Sequence, residues 1–237
     1  MTTSQFWISL LQIIGIDLIL SGDNAVVIAL ACRSLPPKQQ RWGIILGAGA
    51  AIGLRILFAA IIIYLLAIPF LKLIGSVLLF WIAIKLTMPE PETGDDSINA
   101  KNNLWGAVYT IALADAVMSL DNVIGIAAAA KGSVFLIVLG LLISIPLIVW
   151  GSTLILKLLH RYPAIVLIGG ALLGYVAGDI GVSDPMIADW VSQNMPLLHT
   201  LAPILGAVFV IIMGRYFANR AEAARILAAN PMTNSND

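Results

Sequence analysis

Apolar residues dominate seven stretches of this chain, and short polar segments separate them. A membrane-spanning helix needs about 20 mostly apolar residues, because the hydrocarbon core of a bilayer is about 30 Å thick. The pattern therefore predicts seven transmembrane helices, at residues 6–32, 42–67, 68–88, 104–130, 133–159, 163–182 and 197–217. Little more than Pro69 separates the second stretch from the third, which predicts a tight hairpin there.

The composition supports the same class of protein. Of the 237 residues, 60% are hydrophobic and only 11% are charged, whereas soluble domains have about 25% charged residues. The expected surroundings are a lipid bilayer, and a net charge of zero argues against nucleic acid as a partner. Cys32 is the single cysteine, so it forms no intramolecular disulfide. The first apolar stretch is too long for a signal peptide and is interpreted as a retained span.

The basic residues predict the orientation of the chain. With the N-terminus outside, ten of the 13 Lys and Arg residues fall in cytoplasmic segments and only Lys72 and Lys131 fall outside, while Arg55 lies within a span. Cytoplasmic loops are enriched in Lys and Arg. The sequence therefore predicts an outer N-terminus and a cytoplasmic C-terminus.

One polar motif, Asp-x3-Ser-x-Asp-Asn, occurs twice, 98 residues apart and each time inside an apolar stretch. Its two copies are Asp17, Ser21, Asp23 and Asn24 in the first half, and Asp115, Ser119, Asp121 and Asn122 in the second. An unpaired charge within a bilayer costs several kcal/mol, and such residues mark functional sites. Four carboxylates in a repeated pattern predict a binding site for a positively charged ligand.

The duplication extends beyond the motif. Pro69 and Gly75 correspond to Pro163 and Gly169 at an offset of 94 residues. Because each half has three spans, an odd number, the second half must enter the membrane inverted. The predicted fold is all-α, with seven transmembrane helices built as an inverted 3+3 repeat plus one C-terminal helix. Its parts are a first repeat (1–88), a flexible cytoplasmic linker (89–103), a second repeat (104–182), an outer acidic loop (183–196), and a seventh helix with a cytoplasmic tail (197–237).

The motif residues form a set of oxygen ligands. Positions i, i+4 and i+7 share one face of a helix, which aligns the first Asp, the Ser and the Asn of each copy, while the second Asp lies about 100° away. Gly22 permits a helix break that would turn Asp23 toward that face, whereas Leu120 occupies the equivalent position in the second copy. Inverted repeats place substrate sites near the membrane midplane. Oxygen ligands suit Mn²⁺, Ca²⁺ or Mg²⁺, and Met118 would favour a transition metal.

Several other polar and small residues need an explanation. Arg55 has no counterpart in the second half, and two interpretations stay open: it neutralises one Asp, or it is a countercharge when the site is empty. Glycine stripes at 170, 174 and 178 and at 49 and 53 predict close helix packing. Three acidic residues in and beside the outer loop are either solvated or form a vestibule for cations: Asp179, Asp184 and Asp189.

The two motifs, Asp-x3-Ser-Gly-Asp-Asn-Ala-Val-Val-Ile-Ala and Asp-Ala-Val-x-Ser-Leu-Asp-Asn-Val, resemble those of the TerC family of bacterial membrane proteins, and the short chain resembles its riboswitch-associated branch. The resemblance covers about residues 6–217. It implies a seven-span protein that exports Mn²⁺. Carried over by position, it implies metal ligands at Asp17, Asp23, Asn24, Asp115, Asp121 and Asn122. The hydroxyls of Ser21 and Ser119, which the helix geometry places on the same faces, are candidate additional ligands.

The sequence thus favours an exporter of divalent cations in the bacterial inner membrane, working by alternating access, with no enzymatic activity and no prosthetic group. No Gly-x4-Gly-Lys-Ser/Thr loop is present, which favours coupling to an ion gradient. Two alternatives stay open: an intramembrane aspartyl hydrolase, and a non-transporting subunit that loads metal into other proteins or stabilises them. Homo-oligomer formation is also left open.

Overall fold

The computed structural model describes residues 3–66, 68–88, 98–130, 133–162 and 164–229. All regular structure within these ranges is helical. The helices are α1 (Thr3–Leu20), α2 (Gly22–Cys32), α3 (Pro37–Leu66), α4 (Leu71–Thr87), α5 (Ile98–Ala130), α6 (Val134–Arg161), α7 (Ile165–Val182), α8 (Ala188–Asn194) and α9 (Leu198–Ala229).

Five helices in the described ranges are long and apolar enough to cross a membrane, namely α3, α5, α6, α7 and α9. The pair α1 and α2, bent by 51° at its break, gives a sixth candidate span. Helix α4 has 17 residues and rises about 25 Å, which is shorter than the hydrocarbon core. The structure thus supports five or six spans where the sequence predicts seven.

The outside of the bundle is apolar and its interior contains charged residues. Large side chains such as Ile19, Trp150 and Leu197 are exposed, whereas Asp17, Arg55 and Asp115 are buried. This is the reverse of a soluble domain, whose buried ionisable residues are rare. The exposed tryptophans near the ends of helices suit membrane–water interfaces, and they include Trp7, Trp42, Trp81 and Trp105.

The helices pack in two groups. One group contains α1, α2, α3, α5 and α6, and the other contains α4, α7 and α9. Helix α4 contacts α7, α9 and α5 but barely touches α3 in the described ranges, so the predicted hairpin of the second and third spans is wrong. Helix α3 ends at Leu66, and Phe70, just before α4, adopts the left-handed backbone conformation at φ 58°. This turn directs α4 away from α3.

Two equivalent contacts join the motif-bearing helices to their neighbours. A Cβ atom on Gly47 of α3 would collide with Ile111 of α5, and one on Gly140 of α6 would collide with Ile13 of α1. Ile13 and Ile111 are 98 residues apart, the same separation as the two motifs. Each motif helix therefore packs closely on a helix of the other half through an isoleucine and a glycine.

A second pair of glycines at equivalent positions also contacts the motif-bearing helices. Gly75 of α4 lies against Val117 of α5, and Gly169 of α7 lies against Val26 and Leu30 of α2. Gly75 and Gly169 are 94 residues apart. The two glycines correspond, but their partners do not, because Val117 precedes Asp121 whereas Val26 and Leu30 follow Asp23.

The predicted glycine stripe of the sixth span is confirmed as a packing surface. A Cβ atom on Gly174 would collide with the backbone carbonyl of Gly206 in α9, and one on Gly178 would collide with that of Ala202. Side chains at these positions would force α7 and α9 apart. The prediction for the second span is wrong, because a Cβ atom on Gly49 or Gly53 would meet no atom of a neighbouring element within 4 Å among the described residues.

The core forms two apolar clusters on opposite sides of the motif residues. The smaller apolar cluster lies before the first motif on α1 and after the second motif on α5. It consists of Leu10, Ile13, Ile52, Ile126, Ala130, Leu136, Ile137 and Leu141. The larger apolar cluster lies beyond the motifs on α2 and before them on α5, and includes Val27, Ile28, Leu30, Ile44, Leu79, Ile82, Ile111 and Ile148. The motif residues therefore lie between two apolar layers.

The connections between the halves differ in part from the predicted boundaries. Helix α5 begins at Ile98, within the predicted linker of 89–103, and the linker residues 89–97 lie outside the described ranges.

In the predicted outer loop, Asp184 is fully buried and accepts backbone hydrogen bonds from Leu73 at 3.1 Å and Met186 at 2.9 Å. Asp184 therefore ties the loop to α4 instead of facing a vestibule. Helix α9 continues to Ala229, beyond the predicted end of its span.

Candidate functional site between the two motifs

The first motif lies at a helix break. Helix α1 ends at Leu20, Ser21 has the non-helical angles φ −106° and ψ 6°, and α2 begins at Gly22. The predicted break at this glycine is confirmed. Helix α5 instead continues through Leu120 without interruption. The backbone is therefore broken beside Gly22 of the first copy and helical at Leu120, the equivalent residue of the second.

Arg55 of α3 connects the two motifs. Its guanidinium is buried, with 1% of its side chain exposed, and it forms ion pairs with Asp17 and Asp115. The contact with Asp115 uses two nitrogens: Nη2 donates to Oδ1 at 2.6 Å and Nε donates to Oδ2 at 3.2 Å. Such a forked pair is among the strongest hydrogen-bonded contacts in proteins, because both partners are charged and the geometry matches.

Two serine hydroxyls complete the surroundings of Arg55. Nη1 donates to Asp17 Oδ1 and, at 2.6 Å, to Ser21 Oγ, while Nε donates to Ser119 Oγ at 2.9 Å. Each hydroxyl also donates to the Asp one helical turn before it, at 3.2 Å in the first motif and 2.9 Å in the second. The predicted alignment of Asp and Ser on one face is thus confirmed in both copies.

The charge of this cluster is unbalanced. With both carboxylates ionised, Asp17, Asp115 and Arg55 sum to a net charge of −1. The second carboxylate oxygen of Asp17 is buried and has no hydrogen-bond partner in the described structure. Because a buried charge needs a compensating partner, this excess negative charge favours a further positive ligand.

Asp23 and Asn24 follow the break. Asp23 is half-buried, and its Oδ1 accepts a hydrogen bond from the backbone of Asn24 at 2.9 Å. A carboxylate in the first turn of α2 also interacts favourably with the helix dipole. Asp23 does not hydrogen-bond to Arg55, but it lies near enough to interact with it electrostatically. Asn24 is buried, and both polar atoms of its side chain have no partner among the residues that the structure describes.

Asn122 of the second motif has a different role from Asn24. Its Nδ2 donates to the backbone carbonyl of Leu20 at 3.3 Å. Leu20 is the last residue of α1, where carbonyl groups lose their helical partners. Asp121 belongs to α5, and its side chain lies outside the described residues.

The structure therefore brings Asp17, Ser21, Asp115 and Ser119 together around Arg55, whereas Asp23 and Asn24 form no hydrogen bond to it. In the part of the chain that the structure describes, no three His, Cys, Asp or Glu side chains are grouped closely enough to hold a metal ion. Two features were not predicted from the sequence: Arg55 binds both motifs, and Asn122 binds the end of α1. The signal for the first was a basic residue in the middle of a span.

An all-helical chain with five or six candidate spans and buried charges is a multi-pass integral membrane protein. The model of the "Integral membrane protein TerC family" matches residues 2–222, and the chain belongs to this family. The resemblance seen in the two motifs is thereby confirmed.

Several curated proteins are similar to the chain. The "Uncharacterized membrane protein YjbE" of Bacillus subtilis is 44% identical over 213 residues, which cover 90% of this chain and 96% of that protein. The "Uncharacterized membrane protein YceF" of Bacillus subtilis is 25% identical, covering 75% and 72%. The "UPF0053 protein YegH" of Escherichia coli is 29% identical over 69% of this chain but only 34% of its own length. No solved structure matches the chain.

Proposed function

We propose that this chain is a divalent-cation transporter that exports Mn²⁺ across the bacterial inner membrane. One observation carries the proposal: Asp17 and Asp115, which belong to different halves of the chain, bind the same buried cationic group, the guanidinium of Arg55. A buried position where both motifs already hold a positive charge is suited to a transported cation.

The ligand chemistry supports a divalent ion such as Mn²⁺. The side chains around Arg55 present only oxygen atoms, from two carboxylates and two hydroxyls. The unpartnered Asp17 Oδ2 and Asn24 Oδ1 add two more buried oxygens. Mn²⁺ accepts carboxylate, carbonyl and water ligands. Met118, which is buried in the second motif, would favour Mn²⁺ over Ca²⁺ or Mg²⁺.

The two apolar clusters support an alternating-access mechanism. The smaller apolar cluster separates the motif residues from one end of the bundle, and the larger apolar cluster separates them from the other. Opening one cluster while the other stays closed would expose the site to one side of the membrane at a time. Helix α5 contributes to both clusters, through Ile126 and Ile111, whereas Ile13 of α1 belongs to the smaller cluster and Val27 of α2 to the larger.

The equivalent glycine contacts support the inverted 3+3 repeat. Gly47 with Ile111 corresponds to Gly140 with Ile13, as expected if a two-fold axis relates the halves. Repeats of this kind place the substrate between them and exchange conformations during transport. In this arrangement α4 and α7 are the third members of the two repeats, and α9 is added to the second.

The orientation rests on the distribution of Lys and Arg, which favours an outer N-terminus and a cytoplasmic C-terminus. The smaller apolar cluster would then close the outer side and the larger apolar cluster the cytoplasmic side. Export is the direction that the motif resemblance implies. An ion gradient would drive the transport, since the sequence has no Gly-x4-Gly-Lys-Ser/Thr loop.

The contacts favour transport over the hydrolase alternative. An aspartyl dyad needs two carboxylates that share one proton, whereas Asp17 and Asp115 each bind Arg55. A subunit that only stabilises other membrane proteins would not need a charged cluster sealed between two apolar layers. We therefore propose neither an enzymatic activity nor a prosthetic group.

Purified protein reconstituted alone in liposomes tests this function directly. We expect Mn²⁺ flux through the wild-type chain and none through Asp115→Asn, because the substitution removes a ligand charge at constant shape. Asp189→Asn, at an exposed position, is the matched control and should transport like the wild type. Wild-type flux no faster than that of Asp115→Asn would exclude transport by this chain alone.

A further inference from the structure

Arg55 occupies the position where the proposed function needs its substrate. Its guanidinium is bonded to four of the side chains that would bind a cation: Asp17, Ser21, Asp115 and Ser119. A divalent ion cannot use these oxygens while the guanidinium holds them. Substrate binding therefore requires Arg55 to leave the cluster.

The second half of the chain has no such cation. Gly47 and Gly140 make equivalent contacts and are 93 residues apart, and the same offset places Ile148 at the position equivalent to Arg55. Ile148 is buried in the larger apolar cluster. One arginine thus binds both motifs. Duplication of a half would have produced a second arginine at position 148, so Arg55 is a feature of the first half alone.

We infer that Arg55 is a tethered substitute for the transported ion, and that it allows the empty carrier to change conformation. The inference rests on the proposed transport function. When the ion is bound, Asp17 and Asp115 are neutralised by it and Arg55 moves aside. When the ion leaves, Arg55 returns to the two carboxylates, as in the conformation described here.

Electrostatics explains why a carrier of this kind needs the substitute. Two carboxylates buried between apolar layers are strongly destabilised without a compensating positive charge. A site that moves from one side of the membrane to the other while empty would carry both charges uncompensated. Arg55 lowers this penalty by compensating one of the two charges, because it is always protonated and needs no ion from solution.

Asp23 is the carboxylate suited to receive Arg55 when the ion is bound. It is half-buried, interacts electrostatically with Arg55, and accepts the backbone hydrogen bond of Asn24 at Oδ1. A short movement of the arginine side chain, from Asp17 and Asp115 in the empty state to Asp23 in the ion-bound state, would keep it paired with a carboxylate in both.

The test separates two transport modes in proteoliposomes that contain the purified chain. Net efflux of Mn²⁺ into a metal-free solution requires the empty carrier to return. Exchange of radiolabelled Mn²⁺ for unlabelled Mn²⁺ needs only the loaded carrier to move. We expect Arg55→Gln to lose net efflux by about tenfold or more while exchange stays within about threefold of the wild type, because only the empty state lacks its cation.

The affinity for Mn²⁺ gives a second readout. Removing a group that competes for the same oxygens should strengthen Mn²⁺ binding by Arg55→Gln, by about tenfold if the wild-type site is vacated by the arginine about a tenth of the time. A purely structural role of Arg55 would weaken binding or leave it unchanged. Arg215→Gln, at an exposed position on α9, is the matched control and should alter neither transport mode.

Arg55→Lys keeps the inference testable if Arg55→Gln is not recovered in folded form. Lysine retains the charge without the forked geometry, so net efflux should persist at a reduced rate with exchange unaffected. Equal loss of exchange and net efflux in a folded variant would overturn the inference, as would full net efflux by Arg55→Gln. Absence of both modes in the wild type would instead refute the transport function itself.

Discussion

The side-chain amide of Asn122 donates a hydrogen bond to the backbone carbonyl of Leu20, over 3.3 Å and across 102 positions of the chain. Leu20 ends α1 where the first motif breaks its helix, so a residue of the second motif stabilises the backbone of the first. The equivalent Asn24 makes no such bond within the described structure, because α5 does not break at the corresponding position.

This difference predicts unequal effects of substituting the two asparagines. Asn122→Ala should lower the free energy of unfolding by about 1 kcal/mol, since it leaves a helix-end carbonyl without its partner. Asn24→Ala should cost less, because no hydrogen bond is lost. Thermal unfolding of the two variants in one detergent measures the difference, and a larger loss for Asn24→Ala would contradict the structure.

Asp115→Asn should abolish Mn²⁺ tolerance in cells while the protein stays in the membrane. The substitution changes the net charge of the cluster from −1 to zero and leaves Arg55 paired with Asp17, so no buried charge is orphaned. Growth in added Mn²⁺, together with immunoblots of membrane fractions, checks both parts. Disappearance of the variant from the membrane would mean that the carboxylate is needed for folding.

The shared site predicts a strong departure from additivity. Asp17→Asn and Asp115→Asn should each remove most Mn²⁺ binding, and the double variant should do little more, because residues that act on one ion are not independent. Titration calorimetry should give one bound ion per wild-type chain. Two ions of equal affinity, each lost with one substitution, would exclude a single site at the meeting point of the motifs.

The crossing of α7 and α9 predicts opposite outcomes for two glycines. Gly174→Ala should destabilise the protein, since its Cβ would collide with the rigid backbone of Gly206, and α7 and α9 would have to separate. Gly49→Ala should be harmless, because no neighbouring residue that the structure describes lies within 4 Å of the added atom. Thermal unfolding of the two variants in the same detergent compares their stabilities. Equal tolerance at the two positions would contradict the described packing.

Side-specific labelling tests the orientation. Cysteines placed at Ser34 and Asp189, in a chain with Cys32 replaced by alanine, should react with a membrane-impermeant maleimide from opposite sides, the first from the cytoplasm. Both positions are exposed, whereas the buried Asp184 of the same loop is unsuitable. Labelling of both cysteines from one side would contradict the proposed orientation.

The helical membrane class and the family could be predicted from the sequence, because long apolar stretches have few alternatives in a bilayer. The sequence permitted the break beside Gly22, since glycine is the residue that helices tolerate least apart from proline, but did not require it, because α7 continues through Gly174 and Gly178. The direction of α4 was not, because it depends on the left-handed turn at Phe70 and on the surface offered by α7 and α9.

The sequence by itself determined which residues carry the chemistry: two copies of one motif, and an arginine in the middle of a span. Only the tertiary structure decided their arrangement. Arg55 is 38 positions from Asp17 and 60 from Asp115, and no local pattern indicates that it binds both. That contact depends on the close packing of α3 with α5 and of α1 with α6, where isoleucines meet glycines. It forms because a charge buried between apolar layers is stable only beside a partner of opposite sign.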